Sequence, residues 1–523
     1  MTAGERQSAE SYVKSLLDRL ASSRRGSTAL RSVILLGSSV IFLLILALSQ
    51  RIMTSRPSDG PSVESFAQHL DSFIPKRMQE LHVPGAGLAL IDHGEVIWTK
   101  GYGVADKTTG TPVTPETVFQ AASISKSVTA WGVMRLVQEG KLSLDAPVER
   151  YLTRWHLPPS SFDKSRVTIR RLLSHTAGLS VPGYLGIAPG NPLPTLEQSL
   201  SGEAGAAGNV RVEIPPGTKF SYSGGGYTLL QLVIEEVAHD TFASYMRRAV
   251  LQPLGMGRSS FEWTPEIQAS TATAYDQFGN RLPNFLFTEQ AAAGLYTTAA
   301  DLAKFVCAGM PGPKGEMAGR GVLTQETFLQ MVSPAPATKG QYGLGFDIQK
   351  LPGTLRMVYH PGSNRGWAGM IAELPERRRG MVLLMNGDGG GILATQVVFA
   401  FAAESLYRPI LWATLCLGAL LILLVGGICW QVRHGKREWR RKTKRSWFRI
   451  GCSAALALFA LTWWLLWFSD VFSRPVTGLS GISAAESMPW IFRWFSVVLI
   501  FWCFAGIAVC FTSKLNRKAA PSG

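Results

Sequence analysis

Four apolar runs set the terms on which this 523-residue chain can fold. They lie at about Ser32–Ser49, Ile410–Val432, Ile450–Phe468 and Pro489–Thr512, and each is long enough to cross a bilayer as a helix. Between the first and second run, residues 62–405 are numerous enough to bury a large core of their own. Charge then assigns sides. The formal net charge is +16, and three short segments carry most of it. Residues 1–32 hold six Lys/Arg against three acids, residues 432–449 hold nine against one, and three more follow Thr512. The positive-inside rule places all three in the cytoplasm, so both termini lie inside and residues 51–408 lie outside.

This partition predicts a basic cytoplasmic arm over 1–31 and a transmembrane anchor, or a signal peptide, over 32–50. An extracytoplasmic domain follows over 62–405, then transmembrane helices at 410–432, 450–468 and 489–512, with a basic cytoplasmic loop at 433–449. The basicity is therefore a topology signal, with membrane lipid as the expected partner and no nucleic acid. The domain keeps only Cys307 of the six cysteines, so no disulfide can form within it. No Cys/His grouping has zinc-site spacing, and neither a metal nor a cofactor is expected.

Within the domain, the periodicity predicts an amphipathic helix over Ser65–Leu81. A hairpin follows, with Gly85–Ile91 and Glu95–Gly101 flanking Asp92-His93-Gly94. A helical, loop-rich stretch runs from about 142 to 330. Strand patterns return at Gly343–Gln349, Arg356–Tyr359, Trp367–Leu374 and Met381–Met385, and a helix closes at Ile392–Leu406. Strands at both ends around a helical middle imply an α/β sandwich with one antiparallel sheet and a helical lobe.

Ser123-Ile124-Ser125-Lys126 opens a further helical pattern that runs to Gly140. That spacing puts Ser123 and Lys126 one turn apart on one face, with the hydroxyl at a helix N-terminus whose free N–H groups favour developing negative charge. Lys126 can then accept the serine proton if its surroundings lower its pKa. The same pattern at Ser11–Lys14 and Ser161–Lys164 falls in a charged arm and a Pro/Ser-rich loop and reads as coincidence. Only Ser123 has company downstream, in Phe220-Ser221-Tyr222-Ser223-Gly224-Gly225-Gly226-Tyr227 and Tyr359-His360-Pro361-Gly362-Ser363-Asn364.

With these three elements the chain resembles the serine β-lactamase superfamily, in the branch shared by class C β-lactamases, D-amino-acid peptidases, carboxylesterases and penicillin-binding-protein-like hydrolases. Thr168–Leu179, Pro253–Gly257, Gly294–Leu302 and Tyr342–Phe346 are similar to further family signatures. The resemblance implies a β-lactamase-like fold in which Ser123 is the nucleophile and Lys126 its base. Tyr222 becomes a second general base, its phenol activated by the positive charge of Lys126. The N–H groups of Ser123 and Ser363 become the oxyanion donors, with His360, Gly362 and Gly224 at the substrate. Gly362 would let a substrate backbone approach the strand edge. His175 reads as a buried structural histidine and Tyr227 as core.

Two positions depart from the family pattern. Gly224 stands where relatives carry an asparagine amide, and His360-Pro361-Gly362 stands where many carry K-[ST]-G. The first removes a donor to a substrate amide, and the second removes a fixed positive charge and a hydroxyl for a substrate carboxylate. β-Lactam hydrolysis is therefore disfavoured, and restoring both residues is expected to raise β-lactam acylation. The leading reading is a membrane-anchored serine hydrolase acting on a small-molecule or peptide ester or amide. The alternatives are a penicillin-binding or sensing module that acylates with little turnover, and an inactive binding module. No G-x-S-x-G elbow of the conventional α/β-hydrolase type occurs.

Overall fold

The computed structural model describes residues 63–203, 208–351 and 355–402. Among these residues no helix is long and apolar enough to cross a membrane. The four apolar runs, the basic arm and the basic loop all lie outside the described residues.

The predicted first helix forms as α1 (Val63–Glu80), and its apolar stripe of Phe66, Leu70, Ile74 and Met78 is buried. The predicted hairpin forms as β1 (Gly85–Asp92) and β2 (Glu95–Asp106), and β2 runs on past Gly101 to pair with the short β3 (Thr111–Pro112). After the helical middle come β4 (Asp347–Lys350), β5 (Arg356–Asn364), β6 (Trp367–Leu374) and β7 (Arg379–Met385). Together they make one seven-stranded sheet in the order β3-β2-β1-β7-β6-β5-β4. Its strand pairs are antiparallel. The centre is closed by the most distant pairing, β1 with β7, in which Leu88 faces Leu383 and Leu90 faces Met381.

Both faces of the sheet are covered, which explains why β1 reads as a continuous apolar run rather than an alternating one. Leu88 and Leu90 pack with Leu70 and Ile74 of α1 and with Leu393 and Val397 of a helix over 390–402. Ala89 and Ile91, on the opposite face, join the larger core with Val128, Trp131, Leu302 and Phe305. The expected α/β sandwich with a helical lobe is therefore what the described residues form.

Two strand expectations shift. The pattern over Gly343–Gln349 becomes a strand only from Asp347, because Gly345 turns the chain at φ +90°. Conversely, β5 does not stop at Tyr359 but continues through His360-Pro361-Gly362-Ser363 to Asn364. Pairing with β4 ends at Tyr359, so the far edge of residues 360–364 has no strand partner. A proline, which has no N–H to give a ladder, is tolerated at such an edge.

Candidate active site

That unpaired edge meets the Ser123 turn. Instead of opening directly as an α-helix, the chain makes a 3-10 turn at Ala122–Ile124 and then enters α2 (Ser125–Gln138). Ala122, immediately before Ser123, has φ +51°, a left-handed conformation that costs an L-residue energy and persists only where surroundings enforce it. The enforcement is visible. Ser125 Oγ donates to the Ala122 carbonyl at 2.5 Å and accepts Leu295 N–H at 2.9 Å. On the other side, a Cβ at Gly362 would stand 2.3 Å from the Ala121 carbonyl oxygen. Gly362 is thus needed for β5 to approach the nucleophile turn.

From Ser125 to Met134 α2 is buried on every side, and the polar residues there are each bonded to backbone, as buried polar groups must be. Ser127 Oγ donates to the Gly345 carbonyl at 2.6 Å and Thr129 Oγ1 to the Ala291 carbonyl at 3.1 Å. Lys126 is only 2 % exposed. Its Nζ lies 3.2 Å from Ser123 Oγ and donates to the Ala292 carbonyl at 2.6 Å. Among the described residues no carboxylate pairs with it, and burial holds its pKa down at about 7. A resting amine, anchored through one N–H, can present its lone pair to the Ser123 hydroxyl. Ser123 itself keeps partial exposure while its neighbours are buried.

Tyr222 arrives from the segment that leads into α3 (Gly224–Ala238), which Ser223 caps by accepting Gly226 N–H at 2.9 Å. Its ring stands with its centre 5.0 Å from Lys126 Nζ, and the Ser123 side chain is near enough to ease the phenol's pKa. Ser123, Lys126 and Tyr222 therefore converge. One electrostatic expectation fails, however. The phenol pKa is pushed up by burial, eased by Ser123 and raised further by Asp347, so the resting phenol keeps its proton. Burial of the phenol outweighs whatever charge a desolvated Lys126 can offer it.

The four residues expected at the oxyanion or substrate separate. Ser363 is exposed on the unpaired edge of β5. His360 is only 1 % exposed, its Nδ1 is 2.7 Å from the Pro361 carbonyl, and burial together with Lys126 pushes its pKa down to about 3. It is a neutral side chain behind the site wall, so its place among substrate contacts is corrected. Gly224 is also buried, because the Tyr184 ring and the Pro182 carbonyl lie over it at 3.1 and 3.3 Å from a built Cβ. The space of the family's asparagine is taken by an aromatic from the preceding loop.

Sequence reasoning missed three participants. Tyr184 bonds Thr228 Oγ1 through its hydroxyl at 2.7 Å and packs beside Phe285 and Phe287. Gln120 ties Asn364 Nδ2 at 2.9 Å to the Phe285 carbonyl at 2.8 Å, and Arg365 lies over the Phe285 ring at 4.1 Å. The Ala292 carbonyl that anchors Lys126 is 166 residues away in sequence. Only a backbone atom is involved, so no residue type advertised it. Of the other S-x-x-K patterns, Lys164 is committed elsewhere, to the Leu157 carbonyl at 2.7 Å. Tyr227 is core as expected, fully buried with its hydroxyl on the Leu173 carbonyl at 3.0 Å.

Set against known proteins, residues 70–399 match the family model described as Beta-lactamase. The chain belongs to that family. It is 25 % identical over 427 residues to Protein flp of Staphylococcus aureus, covering 76 % of this chain and 83 % of that one. It is 33 % identical over 208 residues to Esterase EstB of Burkholderia gladioli, spanning 38 % of this chain and 52 % of the esterase. Among solved structures, the octameric penicillin-binding protein homologue from Pyrococcus abyssi superposes with a TM-score of 0.53 at 30 % identity, covering 66 % of this chain and 77 % of that one. The family places the chain among β-lactamase-like serine hydrolases.

Proposed function

We propose that this chain is a membrane-anchored, extracytoplasmic serine hydrolase that forms an acyl-enzyme at Ser123 and cleaves uncharged carboxylic esters in preference to carboxylate-bearing peptides or β-lactams. The observation that carries the reading is the buried Lys126 amine 3.2 Å from Ser123 Oγ, available as a base near neutral pH. Lys126 takes the serine proton as Oγ bonds to the substrate carbonyl carbon. The oxyanion is held by the N–H groups of Ser123, at the strained turn, and of Ser363, on the unpaired strand edge. The proton on Lys126 then passes through the Tyr222 hydroxyl to the departing alkoxide. A water molecule enters the vacated place and bonds to the acyl carbon as its proton passes through Tyr222 to Lys126, and Lys126 returns a proton to Ser123 Oγ as the acyl bond breaks and the acid leaves.

Substrate preference follows from what the walls offer. A neutral, buried His360 supplies no positive charge for a carboxylate, and Tyr184 over Gly224 replaces an amide donor with an aromatic surface. Ester cleavage needs neither. The likeness to Esterase EstB supports the same reading. Anchoring rests on the sequence: apolar runs flank the domain, and the basic segments obey one topology. The raised phenol pKa of Tyr222 favours a second reading, in which deacylation is slow and the domain acts as an acylation sensor.

The test is turnover of a matched substrate panel by the full chain. Neutral p-nitrophenyl esters are expected to be hydrolysed in a Ser123-dependent manner, with D-alanyl-D-alanine peptides and penicillins at least tenfold poorer in kcat/KM. Equal or better turnover of the carboxylate-bearing substrates overturns the ester preference. A stoichiometric burst followed by negligible turnover supports the sensor.

A further inference from the structure

His175 lies beside this machinery and has no part in the proton path above. It is 2 % exposed, just past the Ser174 cap of the short helix Ile169–Leu173, with φ +55°. Two hydrogen bonds join it to the segment that carries Tyr222. Its carbonyl accepts Ser221 N–H at 2.8 Å, and its Nδ1 accepts Ser223 N–H at 3.1 Å. The residues on both sides of Tyr222 thus hang on one histidine.

The ring completes the hold. It lies 4.2 Å from the Tyr222 ring at a 33° tilt, and its remaining surroundings are Tyr227 at 5.2 Å, Tyr342 at 5.1 Å and Phe220 at 5.8 Å. A ring boxed in this way has one orientation, and so does what stacks on it. Because Nδ1 accepts, the proton of the neutral ring sits on Nε2, which is buried without a partner among the described residues. Protonation would remove the acceptor that Ser223 uses and add charge next to Lys126. Burial, Lys126 and His360 all oppose that protonation.

We infer that His175 is a positioning residue for Tyr222: the neutral imidazole, accepting at Nδ1 and stacked under the phenol, sets where the Tyr222 hydroxyl stands relative to Ser123 and Lys126. The inference rests on the reading of Tyr222 as the proton relay. Positional errors in catalytic groups are costly even where contacts elsewhere survive, because acid–base transfer needs the atoms within hydrogen-bond reach. His175 itself neither touches substrate nor exchanges a proton.

Two substitutions divide its functions. His175→Phe keeps a stacked ring and loses the acceptor. His175→Asn keeps an acceptor near the Nδ1 position and loses the ring. The full chain is assayed for melting temperature, for Ser123 labelling by a serine-reactive phosphonate, and for steady-state hydrolysis of p-nitrophenyl acetate, each also in a Tyr222→Phe background. The expected result is stoichiometric labelling in both variants, a tenfold or larger fall in kcat for His175→Phe with KM changed less than threefold, and partial recovery in His175→Asn. In the Tyr222→Phe background, His175→Phe should lower kcat less than twofold further. Folded variants with kcat within twofold of wild type overturn the inference, as does an undiminished effect in the Tyr222→Phe background. Loss of labelling in step with a fall in melting temperature also overturns it, since it marks a merely structural role. If wild type itself takes no label at Ser123, both this inference and the hydrolase reading fall.

Discussion

Proton uptake by Lys126 is where the site's electrostatics become measurable. In water its ammonium would hold its proton to about 10.5, and at pH 7 roughly one amine in three thousand would be free. Burial lowers that value to about 7, which leaves about half the amines free and raises base availability about a thousandfold. That lowering corresponds to about 5 kcal/mol of preference for the neutral form. The sign follows directly. Below the folded value Lys126 is charged and cannot take the Ser123 proton, so kcat/KM should fall about tenfold per pH unit below about 7 and level off above it. Competing assignments are few. His360 titrates at about 3 and His175 well below its usual range, while Tyr222 stays protonated above neutrality. The assay is kcat/KM for a neutral ester from pH 5 to 9 at constant ionic strength. A flat profile between pH 6 and 8, or an acid limb near 4 to 5, would refute the assignment of Lys126 as the base.

Three further outcomes follow from the packing. Gly362→Ala drives a methyl to 2.3 Å from the Ala121 carbonyl, and the displaced Ser123 turn should lose at least tenfold in kcat, read by ester hydrolysis and phosphonate labelling rate. Gly224→Asn alone meets Tyr184 and should not raise penicillin acylation. Gly224→Asn with Tyr184→Ala and His360→Lys should raise it at least tenfold, measured as acyl-enzyme by intact mass. Glu373, buried with Oε1 unpartnered among the described residues, has its pKa raised by burial to about 8. The folded state therefore keeps a proton that the unfolded chain releases near 4.5, so this group's contribution is complete below about 4.5 and lost as pH rises through about 8. Glu373→Gln should flatten the fall in melting temperature between pH 5 and 8.

What the sequence carried well were local signals. The β1–β2 hairpin is fixed by its turn residues and alternation, and Ser123-x-x-Lys126 needs only one helical turn to bring its two ends together. The 3-10 turn that shifts the start of α2 by two residues is not local in origin. It is held by Leu295 and by the close approach of β5 at Gly362. The settings of His360 and Gly224 are hidden from the sequence for a related reason. Their residue types announced missing groups, but their burial depends on Tyr222, Tyr342 and Tyr184, which come from separate loops. Likewise the neutrality of Lys126 depends on an enclosing core and a carbonyl at Ala292. Pairings between distant segments decide dielectric and charge here, and single-residue patterns do not contain them.

The central claim is that Ser123 is an activated nucleophile served by Lys126. It is tested most directly by intact-mass and peptide mapping of the full chain after a fluorophosphonate is added, with Ser123→Ala and Lys126→Ala in parallel. The account predicts one adduct per chain, mapped to Ser123, absent from Ser123→Ala and slowed at least a hundredfold in Lys126→Ala. An unlabelled but folded wild type, or an adduct at any other serine, would contradict it.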